Sequence, residues 1–128
     1  MIALANPRQA YAAVELDARI AGAGPAQLVA VCLDQFDLAL GRAIACAESG
    51  DGPARSDAIT RALSAVTALV LGIDDSIPLA TALRQFYEGG RRSLLDWVFE
   101  IDIPAARQLR AEFREVGAAL ANASSRPG

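Results

Sequence analysis

Apolar positions recur every three or four residues along most of the chain, and its six prolines fall between the periodic runs, never inside one. Proline is tolerated in a first helical turn but breaks a helix interior, so Pro7, Pro25, Pro53, Pro78, Pro104 and Pro127 read as punctuation between helices. The run from Pro7 to about Ala21 carries Tyr11, Val14 and Ala18 at helical spacing but is weakly amphipathic, which suits a short helix or an arm. Gly22, Ala23 and Gly24 break it, and Pro25 opens a long helix ending near Ser49. After the turn residues Gly50, Asp51, Gly52 and Pro53, the next helix is expected from Ser56 or Asp57 to about Gly72, with a stripe of Ile59, Ala62, Leu63, Val66, Val70 and Ile73. Ser76 is placed to cap the following helix, with Pro78 in its first turn and its end near Glu100. Asp102 and Pro104 start the last helix, whose stripe of Ala106, Leu109, Phe113, Val116 and Leu120 faces away from Arg107, Arg110, Arg114 and Glu115. Short connections favour antiparallel neighbours. The expectation is a single-domain, all-α, antiparallel up-and-down four-helix bundle over residues 25–121. An additional short N-terminal helix or arm covers residues 1–24, and a disordered tail covers 122–128.

Two helices are too apolar for a single stripe. The 25–49 helix carries Val29, Leu33, Phe36, Leu40, Ile44 and Ala47 on one face and Leu28, Cys32, Ala39, Ala43 and Cys46 beside it. The helix after Pro78 carries Leu79, Leu83, Phe86, Gly90, Leu94 and Val98, while Leu95, Trp97 and Phe99 point elsewhere. An edge helix needs one apolar stripe; a wider one is either central or presents apolar surface to a partner. Gly89 and Gly90 lie mid-helix, where glycine costs about 1 kcal/mol relative to alanine. They suit either the close approach of a neighbouring helix or a shallow groove for a ligand segment.

Composition reinforces the helical reading and narrows the chemistry. Alanine supplies 28 residues and aromatics only 5%, a balance that favours helix over strand. The formal charge of −3 argues against a nucleic-acid partner, which needs a concentrated basic surface. The most apolar stretch, 28–47, is interrupted by Asp34, Asp37 and Arg42, so no membrane span is expected. The N-terminal residues lack the basic-then-apolar layout of a secretion signal, which favours a cytoplasmic protein. Cys32 and Cys46, fourteen residues apart on one helix, stand roughly 21 Å apart at 1.5 Å per residue and cannot bridge. Both read as buried, inert thiols. Histidine and lysine are absent. That removes the commonest general base, the usual metal imidazole and the Schiff-base amine. Asp34 and Asp37 read as a solvated face, Asp74 and Asp75 as a turn, and no phosphate loop is present. No enzyme, metal or cofactor is expected.

An ordered series of residues then resembles the FliS family, the flagellin-specific export chaperones. It comprises Tyr11, the run Ala23-Gly24-Pro25-Ala26-Gln27-Leu28-Val29, Asp34 and Arg42-Ala43. It continues through the Gly50-Asp51 turn, Ile73-Asp74, Leu83-Arg84-Gln85-Phe86-Tyr87, Arg92 with Leu94-Leu95, and Asp102. The resemblance covers roughly residues 6–120. The sequence departs from the pattern at Leu33, Gln35, Gly89, Trp97-Val98 and Leu120, and the link between the third and fourth helices is short.

The resemblance implies an export chaperone that binds the disordered C-terminal region of flagellin, prevents its polymerisation and delivers it to the export apparatus. Tyr11 is then either a plug in the client groove or a staple packing the arm onto the core. The residues implied for the groove and arm are Tyr11, Val29, Leu33, Phe36, Leu40, Leu83, Phe86, Tyr87, Gly90, Leu94 and Trp97, with plain core as the other reading of Phe86 and Tyr87. The departures leave a second reading open, a regulatory bundle that sequesters another flagellar or signalling protein.

Overall fold

A computed structural model describes residues 25–125 as four helices: α1 (Pro25–Ser49), α2 (Gly52–Leu71), α3 (Ala80–Asp96) and α4 (Ile103–Ser125), with no strand among the described residues. The expected N-terminal arm and Tyr11 lie outside this range. Successive helices run antiparallel, which gives the expected all-α up-and-down bundle. They pack in the order α3–α2–α1–α4, and α3 and α4 barely touch along their backbones.

The α1–α2 pair is the tightest because its contact faces are small. Cys32, Ala39 and Ala43 of α1 and Ala58, Ala62, Ala65 and Ala68 of α2 are all buried. Short side chains let two helix axes approach closely, and the ridges of one fill the grooves of the other. On its other side α1 meets α4 through larger residues. Phe36 stacks on Phe113 with ring centroids 3.9 Å apart. The two wide faces of α1 are therefore explained by its central position between α2 and α4.

Several boundaries differ from the sequence expectation. Helix α2 begins at Gly52, several residues before Ser56, because the Asp51 carboxylate accepts a hydrogen bond from Ala54 N and caps it with Pro53 in its first turn. Gly50 supplies the positive φ (78°) that the α1–α2 turn requires. Ser76 does not cap α3. Its backbone N–H and hydroxyl donate to the Asp74 carboxylate inside the 72–79 connection, and α3 starts at Ala80 without a side-chain cap. Helix α3 stops at Asp96 rather than near Glu100, where Trp97 N closes onto the carbonyls of Ser93 and Leu94. The Asp102 carboxylate caps α4 through Ala105 N. Helix α4 continues to Ser125, so residues 122–125, assigned to a disordered tail, are helical.

A candidate partner-binding surface

The α1–α4 seam sets the geometry of one side of the bundle. Asp37 accepts paired hydrogen bonds from Arg110 (2.9 and 3.2 Å) and from Arg114 (2.8 and 3.1 Å). Arg107 pairs with Glu48 one level further along. Asp37 is thus a clasp between helices and not the solvated residue that its spacing from Asp34 suggests. Arg110 and Arg114 turn towards α1 instead of away from the packed side. Burial by itself would raise the Asp37 pKa. The hydrogen bonds from Arg114 and Arg110, with their positive charge, outweigh it and hold the carboxyl below its ordinary value. Gly41 makes the clasp sterically feasible, since a Cβ there would lie 2.7 Å from the Arg110 guanidinium carbon.

Helix α3 completes the core through an aromatic cluster. Phe86 lies 4.6 Å from Phe113 and 5.9 Å from Tyr87, centroid to centroid. Gly90 lets Phe113 of α4 pack directly on the α3 backbone, because a Cβ there would stand 2.8 Å from the Phe113 ring. The close-approach reading of the Gly89-Gly90 pair therefore holds for Gly90. Gly89 faces open space, where a Cβ would meet only Arg92, at 3.9 Å.

Among the residues the sequence singles out, Phe36, Leu40, Tyr87, Gly90, Leu94 and Trp97 are buried in the core. Trp97 goes inside because α3 ends before it, so the helical wheel that points it outward no longer applies. Val29, Leu33, Leu83 and Phe86 are half-buried and pack on the edge of the core. The pairings Phe36–Phe113 and Leu33–Gly117 fix the antiparallel α1–α4 register, with Leu33 Cδ1 3.5 Å from the position of a Gly117 Cβ. That register brings Val29 level with Leu120. The Gly90–Phe113 approach likewise brings Leu83 and Phe86 level with the last turns of α4, where Val116 and Leu120 are also half-buried.

These six residues therefore gather at the end of the bundle where α1 and α3 begin and α4 ends. They form an apolar margin of half-buried side chains at that end. Val116 and Leu120 belong to it although the sequence reading places them only in the α4 core stripe.

Burial raises the Cys32 thiol pKa to about 11. The Tyr87 hydroxyl rises to about 12 through burial and the neighbouring Cys32. Both groups are neutral constituents of the core at neutral pH. Among the described residues no group of three or more Cys, Asp or Glu side chains is arranged to hold a metal ion. No described helix is long and apolar enough to cross a membrane.

The described residues thus define an all-α helical bundle with no strand. A family model described as "Flagellar protein FliS" matches residues 7–126, nearly the whole chain. The chain belongs to the FliS family of flagellar chaperones. No curated protein and no solved structure matches it.

Proposed function

We propose that this protein is a cytoplasmic export chaperone that holds the disordered C-terminal region of flagellin along the α3–α4 side of the bundle and acts by binding, without a chemical step. The observation that carries this reading is family membership over residues 7–126. The apolar margin of Val29, Leu33, Leu83, Phe86, Val116 and Leu120 supports it. A disordered client pays ordering entropy on binding and must recover it by burying apolar area, most simply as an amphipathic helix laid in a hydrophobic groove. In this proposal Val29, Leu33, Leu83 and Phe86 meet the client, while Phe36, Leu40, Tyr87, Gly90, Leu94 and Trp97 shape the groove from beneath. Tyr11 contributes from the arm, and the loaded complex is handed to the export apparatus.

Titration calorimetry with the last ~40 residues of the organism's own flagellin, long enough for a disordered segment to wrap a large surface, tests the reading. Saturable 1:1 binding is expected, and Leu83→Gln is expected to weaken it at least about tenfold, as removal of a hot-spot contact does. Absence of binding by the folded protein at concentrations suited to micromolar affinity sinks the flagellin assignment.

The departures from the family pattern at Leu33, Gln35 and Gly89 motivate a second reading, a regulatory bundle that sequesters a different flagellar or signalling protein. A pull-down that returns such a protein and no flagellin would favour it.

A further inference from the structure

The opposite end of the molecule, where α1 and α3 end and α2 and α4 begin, carries a feature that the client groove does not use. Phe99, in the α3–α4 turn, is 88% exposed, the most exposed of the large hydrophobic residues described. Its neighbours are not loose. Trp97 and Ile101 are buried on either side of it. The Arg55 guanidinium, reaching across from the first turns of α2, donates to the carbonyl of Phe99 (2.7 Å) and to that of Val98 (3.2 Å). The turn is held at both flanks and at its backbone, with the Phe99 ring directed into solvent. Leu95, one turn earlier, is 49% exposed.

Charge at this end is one-sided. Residues 48–57 and 95–107 contain six carboxylates (Glu48, Asp51, Asp57, Asp96, Glu100 and Asp102) against two arginines, Arg55 and Arg107, a net of −4. The rest of the chain has ten arginines against nine acids, so the whole net charge of −3 arises here. Arg107 is engaged by Glu48 and Arg55 by the turn carbonyls. Asp57, Asp96 and Glu100 are exposed and form no ion pair among the described residues.

We propose that the Phe99 turn is a second docking surface, an apolar knob in an acidic field that packs on the apolar face of a basic amphipathic helix of a partner protein. The charge selects that occupant. A second copy of this chain would bring −4 against −4, and an anionic membrane or a nucleic acid would be repelled in the same way. A basic protein surface gains both steering and complementarity. Trp97, buried beneath the proposed groove, also flanks the turn, but the side chains that meet the client (Val29, Leu33, Leu83 and Phe86) lie towards the other end of the bundle, so both surfaces can be occupied together. The inference does not depend on the identity of the client.

The test uses the full chain and amphipathic helical peptides with identical Leu and Phe positions, differing only in carrying Lys, Ser or Glu elsewhere. Fluorescence anisotropy is expected to show binding of the Lys peptide alone, weakening as salt is raised. Phe99→Ser is expected to weaken that binding at least about tenfold, as loss of a central aromatic anchor does. The pair Asp96→Asn and Glu100→Gln is expected to reduce both the affinity and its salt dependence. Leu38→Ser, which removes another exposed apolar side chain on α1 (71% exposed), is the control and changes nothing. Phe99 and Leu38 touch little of the core, so both variants fold, which melting curves check. The proposal is overturned by no Lys-peptide binding, equal binding of the Ser peptide, indifference to Phe99→Ser, equal loss in Leu38→Ser, or a Phe99-dependent dimer in sedimentation. Loss of flagellin binding in Phe99→Ser also overturns it, by making the turn part of the client surface.

Discussion

At the scale of single residues, Asp37 concentrates more cross-helix bonding than any other polar side chain described. One carboxylate accepts from two guanidinium groups of α4, the helix packed beside α1, and its removal leaves the half-buried Arg110 without its partner. Asp37→Ala is expected to destabilise the fold by about 1–3 kcal/mol, the range for losing charge-assisted hydrogen bonds and leaving a partner unsatisfied. Urea unfolding measures it. Cys32 and Cys46 should part company in reactivity. The thiolate is the reactive form, and burial raises the Cys32 pKa to about 11, while Cys46 is half-buried at the rim of the surface depression that Arg55 also lines. A maleimide reagent at pH 8 is expected to label Cys46 in the folded protein and Cys32 only after denaturation, as mass spectrometry would show.

At the scale of helices, the adjacent glycines of α3 make an internal experiment. Both carry the propensity penalty of glycine in a helix, but only Gly90 is used to bring helices together. Gly89→Ala is expected to stabilise by about 0.5–1 kcal/mol, since the added methyl meets nothing closer than Arg92 at 3.9 Å. Gly90→Ala is expected to destabilise by about 1–3 kcal/mol, because its methyl would sit 2.8 Å from Phe113, whose ring is held against Phe36. Thermal melts of the two variants should therefore move in opposite directions. The seams differ for a related reason. Alanines close α1 against α2, whereas aromatics hold α1 and α3 onto α4. Substitutions in the second seam are expected to loosen the side on which the proposed client lies.

For the molecule as a whole, ionisable groups set both edges of the stability range. The Asp37 pKa is lower folded than unfolded, so its contribution is present above the ordinary carboxylate range and is lost as pH falls below about 4 through the folded value. Cys32 and Tyr87 act at the other edge. Their folded values rise from 9.0 to about 11 and from 10.0 to about 12, so their contribution is present below pH 9 and is lost as pH climbs towards 12. Melting temperature is expected to form a plateau over neutral pH and fall on both sides. Asp37→Ala should flatten the acidic limb alone, and Cys32→Ala should soften the alkaline one.

The division between sequence and structure follows from what each kind of signal encodes. Proline placement and the 3.6-residue period are local, and they were enough to specify four helices, their antiparallel order and the central position open to α1. The absence of histidine and lysine is likewise legible in the composition, and it takes away the commonest general base and the Schiff-base amine. Helix ends were less legible, because caps compete: Asp51 and Asp102 cap their helices, while Ser76 bonds to Asp74 instead. Which apolar side chains reach the surface was not legible at all. Trp97 and Phe99 look alike in the sequence, yet the end of α3 at Asp96 turns the first into the core, while the second projects into water from a turn whose carbonyls Arg55 binds. The pairing of Asp37 with Arg110 and Arg114 joins residues more than seventy positions apart. Only the packing of α4 onto α1 could decide it, because the energy of that contact depends on distance in space and not along the chain.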